Sequence, residues 1–264
     1  MSILVFDSGV GGLSVFREAR VKLPDWQFVY LGDNAGFPYG EWDEQALTAH
    51  IVSLFERWIE RFQPALAIIA CNTASTLIMP ALRAAFDIPF VGIVPAIKPA
   101  AEQTSSKHFS VLATPGTVKR QSLKRLIDEF ANHCHVNLVG ATRLARMSED
   151  YMHGKTIDME LLKAEIAPCF VQSDSGRTDI VTLGCTHYPF LINQMRKVAP
   201  WPVDWLDPAE AVARRAQDLL SNHQADYAAG RKRRSVAVMT SSTEHPATVR
   251  LLESYGLERI SELD

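Results

Sequence analysis

Residues 68–75 read Ile68-Ile69-Ala70-Cys71-Asn72-Thr73-Ala74-Ser75, and residues 181–189 read Val181-Thr182-Leu183-Gly184-Cys185-Thr186-His187-Tyr188-Pro189. In each, a short apolar run gives way to small and polar residues just before a helical pattern begins. Continuous apolar runs of that length, bounded in that way, are expected to be buried strands. The alternation continues outward from both segments. Apolar runs at 3–6, 27–31, 66–70, 90–94, 109–113, 136–139, 180–183 and 236–239 read as strands, and helical patterns lie at 13–22, 43–61, 76–85, 117–132, 158–171, 189–198 and 208–221. Alternation of this kind predicts an α/β fold with mostly parallel, doubly wound sheets covered by helices on both faces. In such sheets ligands sit beyond the carboxyl ends of the strands, so the residues following each strand are the place to look for chemistry.

Those residues form a repeating pattern. The first strand leads into Asp7-Ser8-Gly9-Val10-Gly11-Gly12 and the third into Cys71-Asn72-Thr73. Later, the strand ending at Ala113 leads into Thr114-Pro115-Gly116-Thr117, and the one ending at Leu183 leads into Gly184-Cys185-Thr186-His187. Ala113 stands to Asp7 nearly as Cys185 stands to Cys71, within a few residues, as expected for a duplication with an insertion. Two pseudo-symmetric α/β domains with the active site at their interface are therefore expected. Residues 1–96 with 207–264 would form the first, discontinuous domain and 97–206 the second. The end of the chain carries a lone strand and helix, too little for a domain, and is expected to return to the first half.

With 264 residues, 47% of them hydrophobic, the chain can bury a sizeable core. A formal net charge of −3 gives no nucleic-acid footprint and no membrane-surface patch. The one basic run, Arg231-Lys232-Arg233-Arg234, reads as a solvated turn. The opening residues carry no basic segment followed by a long apolar run, and no window approaches a membrane span. A cytoplasmic protein with reduced thiols is expected, its four cysteines at 71, 134, 169 and 185 lacking any C-x-x-C pair.

Cys71 sits between a strand and a helix start, where unpaired backbone N–H groups and the helix dipole favour a thiolate and an anionic ligand. A buried structural cysteine would look the same taken alone. Cys185 repeats the arrangement, with His187 two residues on and Pro189 suited to a first helical turn. Two thiols at equivalent strand ends of two similar halves narrow the chemistry. Disulfide oxidoreductases keep their thiols two residues apart. Cysteine phosphatases need an arginine six positions after the cysteine, where this chain has Leu77 and Leu191. Acyl transfer needs one nucleophile and a base. Inverting a stereocentre needs one group to take a proton from one face and another to deliver a proton to the opposite face. Thiols of ordinary pKa, about 8.5, suit both roles near neutrality.

The remaining strand-end residues read less sharply. Asp7 would serve as a helix N-cap in any such turn, and beside Cys71 it would also orient a substrate ammonium or assist the thiol. Glycines 9, 11 and 12 permit close backbone approach to a ligand, but no dinucleotide or Walker spacing is present. Pro38-Tyr39-Gly40 is a loop after the second strand, placed to close over a small ligand. His133-Cys134-His135 is assigned to the surface rather than to a metal, since adjacent side chains do not converge on one ion. Cys169 reads as core packing.

These residues resemble bacterial glutamate racemases, within the aspartate/glutamate racemase superfamily. The resemblance is carried by Asp7-Ser8-Gly9-Val10-Gly11-Gly12-Leu13-Ser14, Pro38-Tyr39-Gly40, Cys71-Asn72-Thr73-Ala74-Ser75 and Gly184-Cys185-Thr186-His187-Tyr188-Pro189, in order along essentially the whole chain. It implies interconversion of L- and D-glutamate without pyridoxal phosphate or metal, so no cofactor, and supply of D-glutamate to peptidoglycan synthesis. It implies that Cys71 acts on D-glutamate and Cys185 on L-glutamate, with Asp7 and His187 as helpers of the two thiols. Asp7, Ser8, Tyr39, Gly40, Asn72, Thr73, Thr186 and His187 match substrate-binding positions, and Glu149 matches an acidic residue near the second thiol. Thr114 and Thr117 are expected to line the site. The partner implied is the small molecule glutamate, not nucleic acid or membrane, and the chain is expected to be a monomer or a homodimer.

Two departures stand out. Glu41-Trp42 follows Tyr39-Gly40 where the family pattern has a basic residue or serine, a change that falls on the loop or an interface. Gln121-Ser122-Leu123 replaces the usual tyrosine after Thr117. The motif starts at Asp7 without the N-terminal extension that some relatives use in activation by a cell-wall precursor, so weak or absent activation of that kind is expected. An amino-acid-binding protein without turnover, and a racemase acting on aspartate or another amino acid, are the competing readings.

Overall fold

In a computed structural model, residues 2–221, 234–241 and 245–261 are described. The strands are β1 (Ser2–Asp7), β2 (Gln27–Gly32), β3 (Leu66–Ile69), β4 (Phe90–Gly92), β5 (His108–Ala113), β6 (His135–Gly140), β7 (Gln172–Ser173), β8 (Gly176–Arg177), β9 (Ile180–Gly184), β10 (Asp204–Leu206), β11 (Val236–Met239) and β12 (Glu258–Arg259). The helices are α1 (Leu13–Lys22), α2 (Glu44–Phe62), α3 (Asn72–Ala85), α4 (Ile97–Gln103), α5 (Pro115–Val118), α6 (Gln121–Phe130), α7 (Leu144–Met152), α8 (Met159–Ile166), α9 (Ile192–Val198), α10 (Ala209–Ser221) and α11 (Pro246–Ser254). The fold is α/β, and both larger sheets are parallel.

The chain divides into two units, Met1–Ile93 with Ala209–Asp264, and Val94–Pro208. The first holds a six-stranded sheet in the order β12-β11-β2-β1-β3-β4. Every residue of β1 is buried, as a central parallel strand covered on both faces requires. Leu4 and Phe6 point into a core shared with Leu47, Ile51 and Phe55 of α2 and Ile78 and Leu82 of α3. α10 packs with α1. The late strand β11 joins this sheet in register with β2, Val236 opposite Val29 and Met239 opposite Gly32.

The second unit holds a four-stranded sheet in the order β10-β9-β5-β6 and a small antiparallel pair, β7 with β8. Alternation along β5 sends Phe109, Val111 and Ala113 to one core with α4 and α6, and Leu112 to the other with α7, α8 and α9. Read from one edge, β2-β1-β3-β4 of the first unit and β6-β5-β9-β10 of the second are the same arrangement of strands. The strand ends that carry Asp7 and Cys71 thus correspond to those that carry Thr114 and Cys185.

Several local expectations are corrected. Asp7 does not cap a helix: it ends β1, and Gly12 occupies the N-cap of α1, because the glycine turn separates them. The pattern at 117–132 is two helices, since Thr114 caps a short α5 through its hydroxyl and the chain turns at Arg120 before α6. The pattern at 158–171 ends at Ile166 and tightens into a 3₁₀ turn over Ala167–Cys169, where Pro168 lacks the N–H an α-helix needs. Pro189 likewise lies in a 3₁₀ turn, Tyr188–Leu191, ahead of α9. Helices α4, α7 and α11 and the short strands β7, β8, β10 and β12 had no expectation attached. Residues 231–233 of the basic run lie outside the described residues, and Arg234 pairs with Glu258 at 3.6 Å on the surface.

Candidate active site

In the first unit, β1 and β3 lie side by side, Phe6 opposite Ile69, and the Ala70 amide donates to Phe6 O at 2.8 Å. This register delivers Asp7 and Cys71 to neighbouring strand ends. Asp7 is fully buried, and its Oδ1 accepts the Gly9 amide at 3.0 Å. A Cβ on Gly12 would lie 2.6 Å from Asp7 Cβ, so the turn approaches the strand end more closely than any other residue permits. Cys71 is the N-cap of α3, in extended conformation with no side-chain capping bond. Its Sγ lies 3.7 Å from Ser8 Oγ. The next residue, Asn72, is 2% exposed, and neither atom of its amide makes a hydrogen bond to another protein group. A buried amide costs free energy unless it has a partner, and this one, beside a thiol and a helix N-terminus, has both its donor and its acceptor available to a polar ligand. Thr73 is buried next to it.

The Tyr39 loop is held from below. Tyr39 is buried and Gly40 exposed. The Tyr39 hydroxyl donates to Asp33 Oδ2 at 2.5 Å, and Thr240 Oγ1 donates to Asp33 Oδ1 at 2.6 Å. Burial first, then the charge and bond of Asp33, with smaller effects from Cys71 and Asp7, hold the Tyr39 phenol well above the ordinary tyrosine range. Tyr39 is therefore a neutral hydrogen-bonding group and not a base. Asp33 stands at the end of β2 and went unread in the sequence, although Gly32-Asp33 is a strand end like those that were read.

The second unit has a different construction around its thiol. β5 and β9 are neighbours, with Ala113 opposite Gly184, so Thr114 and Cys185 emerge from adjacent strand ends. Thr114 Oγ1 lies 3.0 Å from Thr117 Oγ1. Cys185 Sγ is 3.6 Å from His187 Nδ1, and His187 Nε2 is 2.8 Å from Glu149 Oε1. Ser148 on α7 donates to His187 O at 2.6 Å, fixing the loop to the helix that carries Glu149. Thr186 is buried between the two. Burial alone would lower the pKa of His187. The hydrogen bonds and charges of Cys185 and Glu149 together outweigh it and hold the imidazole well above its ordinary value. A protonated imidazole donates from both nitrogens, which suits a ring that hands a proton to sulfur or steadies a thiolate. Cys185 does not cap an α-helix as Cys71 does. The two thiols occupy equivalent strand ends in unlike surroundings.

The other cysteines stand apart from these clusters. Cys169 is fully buried in an apolar core, which pushes its thiol up to about 12. Cys134 is half-buried and packs against the α6 core, so it is less superficial than its sequence suggested. Among the described residues, no group of three or more His, Cys, Asp or Glu side chains is placed to hold a metal ion.

Each unit thus carries a buried thiol at a strand end, Cys71 beside Ser8 in the first and Cys185 beside the His187–Glu149 pair in the second. The chain belongs to the Asp/Glu/hydantoin racemase family, whose model matches residues 19–216. It is 57% identical to a glutamate racemase of Mesorhizobium japonicum over 97% of each chain, and 56% identical to one of Brucella canis over 97% of this chain and 92% of that one. Among solved structures it resembles Escherichia coli glutamate racemase in complex with L-glutamate and the activator UDP-MurNAc-ala, with 40% identity, a TM-score of 0.90, and coverage of 98% of this chain and 97% of that one. No helix among the described residues is long and apolar enough to cross a membrane.

Proposed function

We infer that the protein is an isomerase that interconverts L-glutamate and D-glutamate and so supplies D-glutamate for peptidoglycan synthesis. Full-length identity to glutamate racemases supports the substrate. The observation that carries the chemistry is the pair of thiols at equivalent strand ends, Cys71 and Cys185, each with its own polar neighbours.

The two strand-end clusters act on one substrate molecule. Starting from L-glutamate, Cys185 as thiolate takes the α-proton, and the carbanion left behind takes a proton on its opposite face from the Cys71 thiol. The turnover leaves Cys185 protonated and Cys71 as thiolate, which is the state needed to act on D-glutamate in reverse. His187, oriented by Glu149, assists Cys185, and Asp7 assists Cys71. The N-terminus of α3 and the Asn72 amide, with Ser8, Thr73, Tyr39 and Gly40, hold one side of the substrate through its carboxylate and ammonium groups. Thr186, His187, Thr114, Thr117 and Glu149 line the other. Each proton passes between sulfur and carbon, so the cycle needs neither pyridoxal phosphate nor metal. The thiolate chemistry fits a reducing, cytoplasmic setting.

The test is incubation with L-glutamate, and separately with L-aspartate, in deuterated water without added cofactor. Loss of optical rotation with deuterium at the α-carbon for glutamate alone is expected. Exchange with aspartate instead would assign a different racemase, and binding without exchange would assign a binding protein.

A further inference from the structure

The loop that carries Tyr39 and Gly40 ends in Trp42. Trp42 Nε1 donates to Gly36 O at 2.8 Å, closing the loop on itself. The indole stacks on the His50 imidazole, ring centroids 4.9 Å apart and planes 30° from parallel. His50, on the second turn of α2, brings Nε2 to 2.7 Å from Asp33 Oδ2, the oxygen that also accepts the Tyr39 hydroxyl. Asp33 is fully buried, and its other oxygen is taken by Thr240. A Cβ on Gly36 would lie 2.5 Å from Asp33 Oδ2 and 3.0 Å from the Tyr39 ring, so the loop is drawn down onto the carboxylate as far as glycine allows.

We propose that His50 and Trp42 are positioning residues for the substrate loop: His50 anchors Asp33 to α2, Trp42 covers His50 and ties the loop's ends, and together they fix Tyr39 and Gly40 for glutamate binding. This rests on the reading above that Tyr39 and Gly40 touch the substrate. Asp33 is the joint. As a carboxylate it only accepts hydrogen bonds, and with both oxygens occupied it fixes the direction of the Tyr39 hydroxyl. Removing the His50 donor leaves Asp33 Oδ2 with the Tyr39 hydroxyl alone and frees the loop from α2. The loop then has to be ordered by substrate itself, at a cost in affinity.

The test is steady-state kinetics of His50→Phe, His50→Gln and Trp42→Phe with each glutamate enantiomer. His50→Phe keeps a ring under Trp42 but has no donor, and KM for both enantiomers is expected to rise about tenfold with kcat changed less than about threefold. His50→Gln places an amide N–H at the reach of Nε2 and is expected to recover most of the lost affinity. Trp42→Phe keeps the stack and loses the bond to Gly36, and a rise in KM of about threefold is expected. Trp42 is 37% exposed, so this variant decides the matter if His50→Phe does not fold. A merely structural contribution would reduce the amount of folded enzyme, and hence apparent kcat, without moving KM. Unchanged KM in His50→Phe, or no recovery in His50→Gln, overturns the latch. A wild-type chain that left glutamate unchanged would instead overturn the function on which the latch rests.

Discussion

At the scale of single residues, the two thiols are not copies. Cys71 lies at a helix N-terminus beside Ser8, whereas Cys185 lies beside a histidine that a glutamate holds in place. Replacing either with serine substitutes a far weaker acid and base, and racemisation is expected to fall about a hundredfold or more in both directions. Cys134→Ser and Cys169→Ser are expected to keep the wild-type turnover per folded molecule. A chiral assay of D-glutamate formed from L-glutamate checks all four. Glu149→Gln makes a second prediction. The glutamate's charge and bond help raise the His187 pKa, so removing the charge lowers it. The limb of the pH profile of kcat/KM that reports loss of the His187 proton should move to lower pH. Stability follows the same sign: a raised histidine pKa contributes stability below its unfolded value, about 6.5, and loses it as pH rises through the folded value. The melting-temperature deficit of Glu149→Gln should therefore be larger at pH 6 than at pH 9.

At the scale of elements, the site depends on where strands stop and helices start. The start of α2 matters because it follows the Tyr39 loop directly. Asp43 caps it, its Oδ1 accepting the Gln45 and Ala46 amides at 3.0 Å each. Asp43→Ala is expected to cost about 1 kcal/mol, read as a lower midpoint in urea denaturation with an unchanged slope. Most strands of the two large sheets were legible because parallel strands buried on two faces are continuous apolar runs, as in Phe109–Ala113. Short elements were not: β10, Asp204-Trp205-Leu206, is a three-residue edge strand with no period to detect. The breaks at Arg120 and Pro168 were missed because an amphipathic pattern runs on across a change of helix type.

At the scale of the whole molecule, the repeated strand order gives the two cysteines their meaning. β2-β1-β3-β4 and β6-β5-β9-β10 place Cys71 and Cys185 after corresponding strands, which the spacing of the two cysteine motifs already suggested. The support beneath the motifs was not legible. Asp33, His50 and Thr240 meet through contacts of long sequence separation, and Ser148 reaches His187 from a helix for which there was no expectation. Motifs mark the groups that meet a ligand, whereas packing selects the groups that hold them.

The central claim is that two thiols serve opposite faces of one carbon, and the fate of the α-hydrogen tests it directly. L-Glutamate is turned over in deuterated water and the reaction stopped at low conversion. Two bases predict α-deuterium in nearly all of the D-glutamate formed and protium retained in the L-glutamate that remains. D-Glutamate that kept the original hydrogen would mean that a single group carried it from one face to the other, and would contradict the account.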